Sequence, residues 1–252
     1  RDVERSRGLG DVYKRQTEGA IVIGKAGTGY VGDIVVNISE NATVQNTATD
    51  GDVKPAIVVS DKNMALDNEQ KINDPSGNAT KATFDYSESG ITVNVESQNI
   101  KGDVVKVSNN TEDKQTKDGG NTSLTLTNAN ITGNVINQTK EGDVGISGST
   151  ITGNVTNKSK GEVVISNNSK IDGTVSNTGT GTGGDDEKGS VAILDSTVGT
   201  VTPDIVLVNT IVGDKTEPTT NTGDNVAMIG AKTYKTLTAA IEAAQNGDTI
   251  TL

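Results

Sequence analysis

Cysteine, histidine and tryptophan are absent from this 252-residue chain, and aromatic residues make up only 2% of it. Without Cys or His there is no disulfide staple, no thiolate nucleophile, no zinc site of the usual ligand set and no imidazole general base. The absence of Cys does not place the protein inside a cell, since bacterial surface proteins also avoid thiols. Large side chains are scarce as well. Apolar residues are 31% of the chain, with a single Phe, too few to fill one globular core of ordinary depth. No apolar run approaches the roughly 20 residues of a membrane helix, and there is no signal-peptide h-region. A net charge of -11 argues against nucleic acid as a partner and for solubility in an exposed setting. These absences favour a fold in which each unit buries a few Val or Ile against its neighbours, as repeat architectures do.

Arginine is confined to one end. Arg1, Arg5, Arg7 and Arg15 fall within residues 1–16, and every later basic residue is Lys. The string Asp11-Val-Tyr-Lys-Arg-Gln16 resembles translated sequencing adapter, so residues 1–16 are read as a foreign or disordered segment and set aside.

Between Ser123 and Val175 the sequence aligns with itself. Ile131-Thr-Gly133-Asn-Val135, Ile151-Thr-Gly153-Asn-Val155 and Ile171-Asp-Gly173-Thr-Val175 begin 20 residues apart, each preceded by a short alternating strand such as Leu124-Thr-Leu126 or Val144-Gly-Ile146. Ile100-Lys-Gly102-Asp-Val104 extends the pattern towards the N-terminus, and Val198-Gly-Thr-Val201, one residue shorter, extends it the other way. Short apolar/polar alternation marks strands with one buried face. A strand, a Gly turn and another strand returning every ~20 residues suit one circuit of a right-handed, single-stranded parallel β-helix, an all-β solenoid. About ten coils at about 4.8 Å each would make a rod of about 50 Å over residues 17–225. Gly102, Gly133, Gly153 and Gly173 are then expected at one stacked corner, where a positive φ or a close backbone approach excludes a Cβ. Asn137, Asn157 and Asn177, six residues after each block's Ile, are expected to form an amide ladder. Four aliphatic side chains cannot offset the entropy of ordering a whole coil, so no coil stands alone. A string of Ig-like sandwiches, also rich in Thr and Val, would repeat near 100 residues and not near 20.

Two polar insertions break the rhythm, residues 61–83 and 177–190. The one good helix signal is Thr236–Gln245, with Leu237, Ala240, Ile241 and Ala244 on one face and Gly247 after its end. Tyr234-Lys-Thr-Leu-Thr-Ala-Ala-Ile241 followed by Gly247-Asp-Thr-Ile-Thr-Leu252 resembles the N-terminal cap of pectin-lyase-like β-helices of bacterial surface and adhesin proteins. That resemblance covers about the last 25 residues and implies that residues 226–252 are the truncated start of a second β-helix module.

Many β-helices of this kind are polysaccharide lyases or hydrolases that use clustered Asp with calcium, an Arg or Lys base, or Asp paired with His. Beyond residue 16 this chain has neither Arg nor His, and Tyr30, Phe84, Tyr86 and Tyr234 are not spaced as a sugar platform. No catalytic residue and no cofactor is therefore expected. Asp185, Asp186 and Glu187 are the candidate calcium ligands, but they lack the tandem Gly-Gly-x-Gly-x-Asp of a calcium β-roll and read better as solvated loop charge. Gly24-Lys-Ala-Gly-Thr-Gly29 does not have the order of a phosphate loop. An ice-binding Thr array is also excluded, because the positions matching Thr125 are Gly145, Val164 and Ala192. The expectation is a non-catalytic structural or adhesive stalk, extracellular or on a bacterial cell surface. Its partners would be host or matrix glycans or proteins, with no nucleic acid and no membrane insertion. The alternative is a fragment of a carbohydrate-active β-helix whose active site lies outside the chain.

Overall fold

The structure is a computed structural model that describes residues 19–24, 34–46, 55–60, 69–73, 79–83, 91–107, 122–139, 142–179, 189–223 and 225–252. Alternating apolar residues set its strands: in Ile91–Val95 every second residue is buried, and Leu124 and Leu126 turn inward while Thr125 between them faces out. Because each strand is short and buries one side, it must stack on equivalents from other coils. The result is a parallel β-helix with three faces.

The first face stacks Ile34–Ile38, Ile91–Val95, Thr122–Thr127, Val144–Ser147, Glu162–Ser166, Ser190–Leu194 and the start of Val206–Val212, all parallel. The second runs through Thr43–Gln45, Asn99–Lys101, Asn130–Thr132, Thr150–Ile151 and the first halves of Lys170–Asn177 and Thr197–Val201. The third takes Ile21–Gly24, Ile57–Ser60, Val104–Val107, Val135–Gln138, Val155–Asn157 and the second half of Lys170–Asn177. Parallel pairing throughout these faces is not what antiparallel sandwiches give. Each coil contributes four inward aliphatics, for example Leu124, Leu126, Ile131 and Val135, all at most 1% exposed. Ile100, Ile131, Ile151, Ile171 and Val198 form one inward column.

The rod is shorter than the repeat count suggests. Among the described residues seven strands stack on the first face, so six steps at about 4.8 Å give about 29 Å and not about 50 Å. The reason is that Ser60 to Ile91, Val107 to Thr122 and Asn177 to Ser190 are long connections that add no rung: Ile91–Val95 pairs directly with Ile34–Ile38 and with Thr122–Thr127. Within the first connection Glu69–Asn73 and Ala79–Thr83 form an antiparallel hairpin, so the expected polar loop carries structure of its own. The one-residue deletion in Val198-Gly-Thr-Val201 is absorbed as a register shift between Ile171 and Thr174 of the preceding coil.

Thr219–Asn221 pairs antiparallel with Val206–Val212 and ends the parallel stack. Ala227–Ile229 then forms a small antiparallel sheet with Lys232–Tyr234 and Ile250–Thr251. Helix α1 (Leu237–Ala243) lies between them, N-capped by the Thr236 hydroxyl accepting from Ala239 N at 3.1 Å. Its expected apolar face is only partly used. Ala240 is buried while Leu237 and Ile241 are 42% and 58% exposed, because two turns packed on Ala227–Ile229 and Lys232–Tyr234 cover one position. The sheet lies on the outside of the first face, where Met228 and Ala231 cover Ala192 with Val164, Leu194, Val206 and Val208 around them. That contact explains an outward column. It reads Asn37, Asn94, Thr125 and Gly145 towards the N-terminus, then Val164, Ala192 and Val206 under the C-terminal sheet. Among the described residues no helix is long and apolar enough to cross a membrane.

Candidate functional site

Asn137, Asn157 and Asn177 occupy one inward column of the third face, paired in register. Each amide has two donor hydrogens and an oxygen that accepts twice. Asn137, 1% exposed, spends all four: Nδ2 donates to Gly142 O at 2.6 Å and Asn157 Oδ1 at 3.1 Å, and Oδ1 accepts from Thr139 N and Oγ1 at 3.3 and 2.7 Å. Asn157 repeats the scheme with Gly161 O at 3.0 Å and Ser159 N at 3.2 Å. The ladder then loosens. Asn157 Nδ2 reaches Asn177 Oδ1 only at 3.5 Å, and Asn177, half-buried, donates to Gly189 O at 2.6 Å and to Asp204 Oδ2 at 3.5 Å. Below Asn137 the same column holds Lys106, fully buried, its Nζ donating to Asp143 O at 2.7 Å.

Gly102, Gly133, Gly153 and Gly173 stack at the corner between the second and third faces. Gly102 has φ 124. The others are excluded from carrying a side chain by crowding: a Cβ on Gly153 or Gly173 would sit 2.5 Å from the carbonyl oxygen of the glycine one coil before it. Beside them runs a column that spacing arguments missed. Asp103 Oδ1 accepts from Asn134 N at 2.8 Å, Asn134 Oδ1 from Asn154 N at 2.8 Å and Asn154 Oδ1 from Thr174 N at 2.7 Å. Each side chain therefore ties down the backbone of the next coil. The signal was present in the fourth residue of each Ile-x-Gly-x-Val block.

The corner between the first and second faces was also missed. Asn128, Gly148, Asn168, Asp195 and Asn209 there have φ of 51, 60, 59, 47 and 47, residue types that tolerate the left-handed region. The residue after each turns inward as Ala129, Ser149, Ser169, Ser196 and Thr210, all buried. Ser149 Oγ accepts from Ala129 N at 3.0 Å and Ser169 Oγ from Ser149 N at 3.2 Å.

No family model, curated protein or solved structure matches this chain. Its site must be read from its own geometry. Asp185, Asp186 and Glu187 lie outside the described residues, among which no group of three His, Cys, Asp or Glu could hold a metal ion.

The described surface includes clefts at the left-handed corner and at the end of the ladder. One, about 630 Å³, follows the left-handed corner and is lined by Asn167, Lys170, Asp195, Asn209 and neighbours. The other, about 450 Å³, lies between the last coils and the C-terminal sheet, with Asn177, Asp204, Val206, Lys232 and Tyr234 in its wall. It opens where the amide ladder is loosest. Close to it, Glu162 joins the two parts. Its backbone N donates to Asp143 Oδ1 at 2.6 Å, and its Oε2 accepts from Ala231 N at 3.5 Å. Burial under the C-terminal sheet pushes the Glu162 carboxyl above its ordinary value. The Ala231 amide opposes this, Asp143 adds to it, Lys232 opposes and Asp248 adds.

Proposed function

We propose that this chain is a non-catalytic structural or adhesive stalk, secreted by or displayed on a bacterial cell, of the pectin-lyase-like surface type. The observation that carries the reading is the continuity of the columns. From Asp103 to Thr174 on one corner and Asn137 to Asn177 inside, polar side chains are committed to tying coil to coil. Groups held this way add stiffness and resistance to proteolysis rather than reactivity. The acidic charge of -11 suits a soluble, exposed rod. The resemblance of residues 234–252 to the cap of surface β-helices gives the reading its setting.

The test is incubation of the purified full chain with a panel of uronate and neutral polysaccharides, followed by reducing-end and unsaturated-product assays. No depolymerisation is expected. Release of new reducing ends or unsaturated uronates would replace the stalk with a carbohydrate-active enzyme.

A further inference from the structure

We infer that the cleft between the last coils and the C-terminal sheet is a binding subsite for a neutral pyranose, with Tyr234 as its stacking surface and Asn177 and Asp204 as hydroxyl partners. The inference names a ligand class for the adhesive reading and rests on it.

Tyr234 is the sole aromatic among the described residues, and it lines this cleft. It is half-buried and held by its strand: its carbonyl accepts from Val226 N at 3.0 Å, and it pairs with Ala227. An aromatic ring in the cleft wall offers an electron-rich face to the C–H face of a sugar ring, and Val206 in the same wall adds apolar surface. Hydroxyls around the ring need donors and acceptors in reach. The exposed Asp204 carboxylate, engaged by Thr202 Oγ1 at 3.1 Å through Oδ1, keeps lone pairs for adjacent hydroxyls. Asn177, whose ladder bonds have stretched to 3.5 Å, can exchange its weak contact with Asp204 for a ligand oxygen.

Charge selects within the class. Asp204 and exposed Lys232 place opposite charges in the wall, so the cleft has no net positive charge to hold a uronate or sialic acid and suits an uncharged sugar. The cleft has a volume of about 450 Å³ and opens to solvent. The larger polar cleft has no aromatic in its wall and no comparable platform.

The experiment is titration calorimetry and ligand-observed NMR on the full chain with maltose, lactose, chitobiose and digalacturonate. At least one neutral disaccharide should bind, with a dissociation constant on the order of 1 mM, and digalacturonate should bind more weakly. Tyr234→Ala should weaken binding about tenfold and Tyr234→Phe should retain it. Asp204→Asn should weaken neutral binding, whereas Asp195→Asn in the other cleft should leave it unchanged. The inference is overturned if no neutral disaccharide binds, if digalacturonate binds as tightly, or if Tyr234→Ala and Asp204→Asn leave binding intact. Its failure would not touch the stalk, which only the depolymerisation assay can overturn.

Discussion

A glycine in this rod matters by what stands one coil away. A Cβ on Gly153 would meet Gly133 O and Asn134 Oδ1 at 2.5 Å, and the backbone oxygen cannot move without moving its coil. Gly153→Ala should therefore cost about 1–3 kcal/mol. Gly145→Ala, whose nearest neighbour would be Thr125 Cγ2 at 3.8 Å, should be close to neutral. Thermal denaturation of the two variants checks the pair, and equal shifts would remove the stacked corner. The same logic applies to amides. Asn157→Ala leaves the Ser159 N–H without its acceptor in a buried site and the Gly161 carbonyl with Ser190 N alone, for a loss of about 1–3 kcal/mol. Asn94→Ala loses an exposed bond to Asn37 and should stay within about 0.5 kcal/mol in urea titrations. At this scale the sequence was legible where one residue type repeats, as in Gly133, Gly153 and Gly173 or Asn137, Asn157 and Asn177. It was not legible where chemistry repeats under changing identity. Asp103, Asn134, Asn154 and Thr174 share a position, as do Asn128, Gly148, Asn168, Asp195 and Asn209. Lys106 reads as a surface charge until its inward register is known.

Elements followed the same division. Alternation fixed the strands, and Thr236 and Gly247 bracketed α1, but the docking of residues 226–252 depends on surface made by three coils together. Val164, Ala192 and Val206 are far apart in sequence, and their shared face emerges only with the register. Met228→Asp should release the C-terminal sheet, seen as faster limited proteolysis after residue 222 with the rod's circular dichroism unchanged; unchanged cleavage would mean that Met228 does not hold it. Glu162 makes this docking pH-dependent. Its folded pKa is raised above 4.5 chiefly by burial, so its contribution is fullest below that value and is lost as pH rises through the raised folded pKa. Glu162→Gln keeps an acceptor for Ala231 N without the charge. Protection factors of the amides of residues 227–234, taken against intrinsic exchange at each pH, should consequently rise in this variant at neutral pH and lose most of their pH dependence. A variant that exchanges as the parent does across the range would remove Glu162 from the docking.

The whole molecule is a short rod whose stability belongs to neighbouring coils jointly. Its length was overestimated from sequence because connections such as Ser60 to Ile91 consume residues without adding a rung. The account stands or falls on the columns being real. Lys101, Thr132, Thr152 and Asp172 are exposed and follow one another on the second face, in the coils set by the Ile100, Ile131, Ile151 and Ile171 register. Because the chain has no Cys, pairs of introduced cysteines at these positions can be spin-labelled without background. Dipolar broadening should be strong for Thr132 with Thr152 and for Thr152 with Asp172, whose backbones lie one strand spacing of about 4.8 Å apart, and weaker for Thr132 with Asp172, two spacings apart. A neighbouring pair without broadening, or any pair beyond about 20 Å, would contradict the parallel coil on which every other conclusion depends.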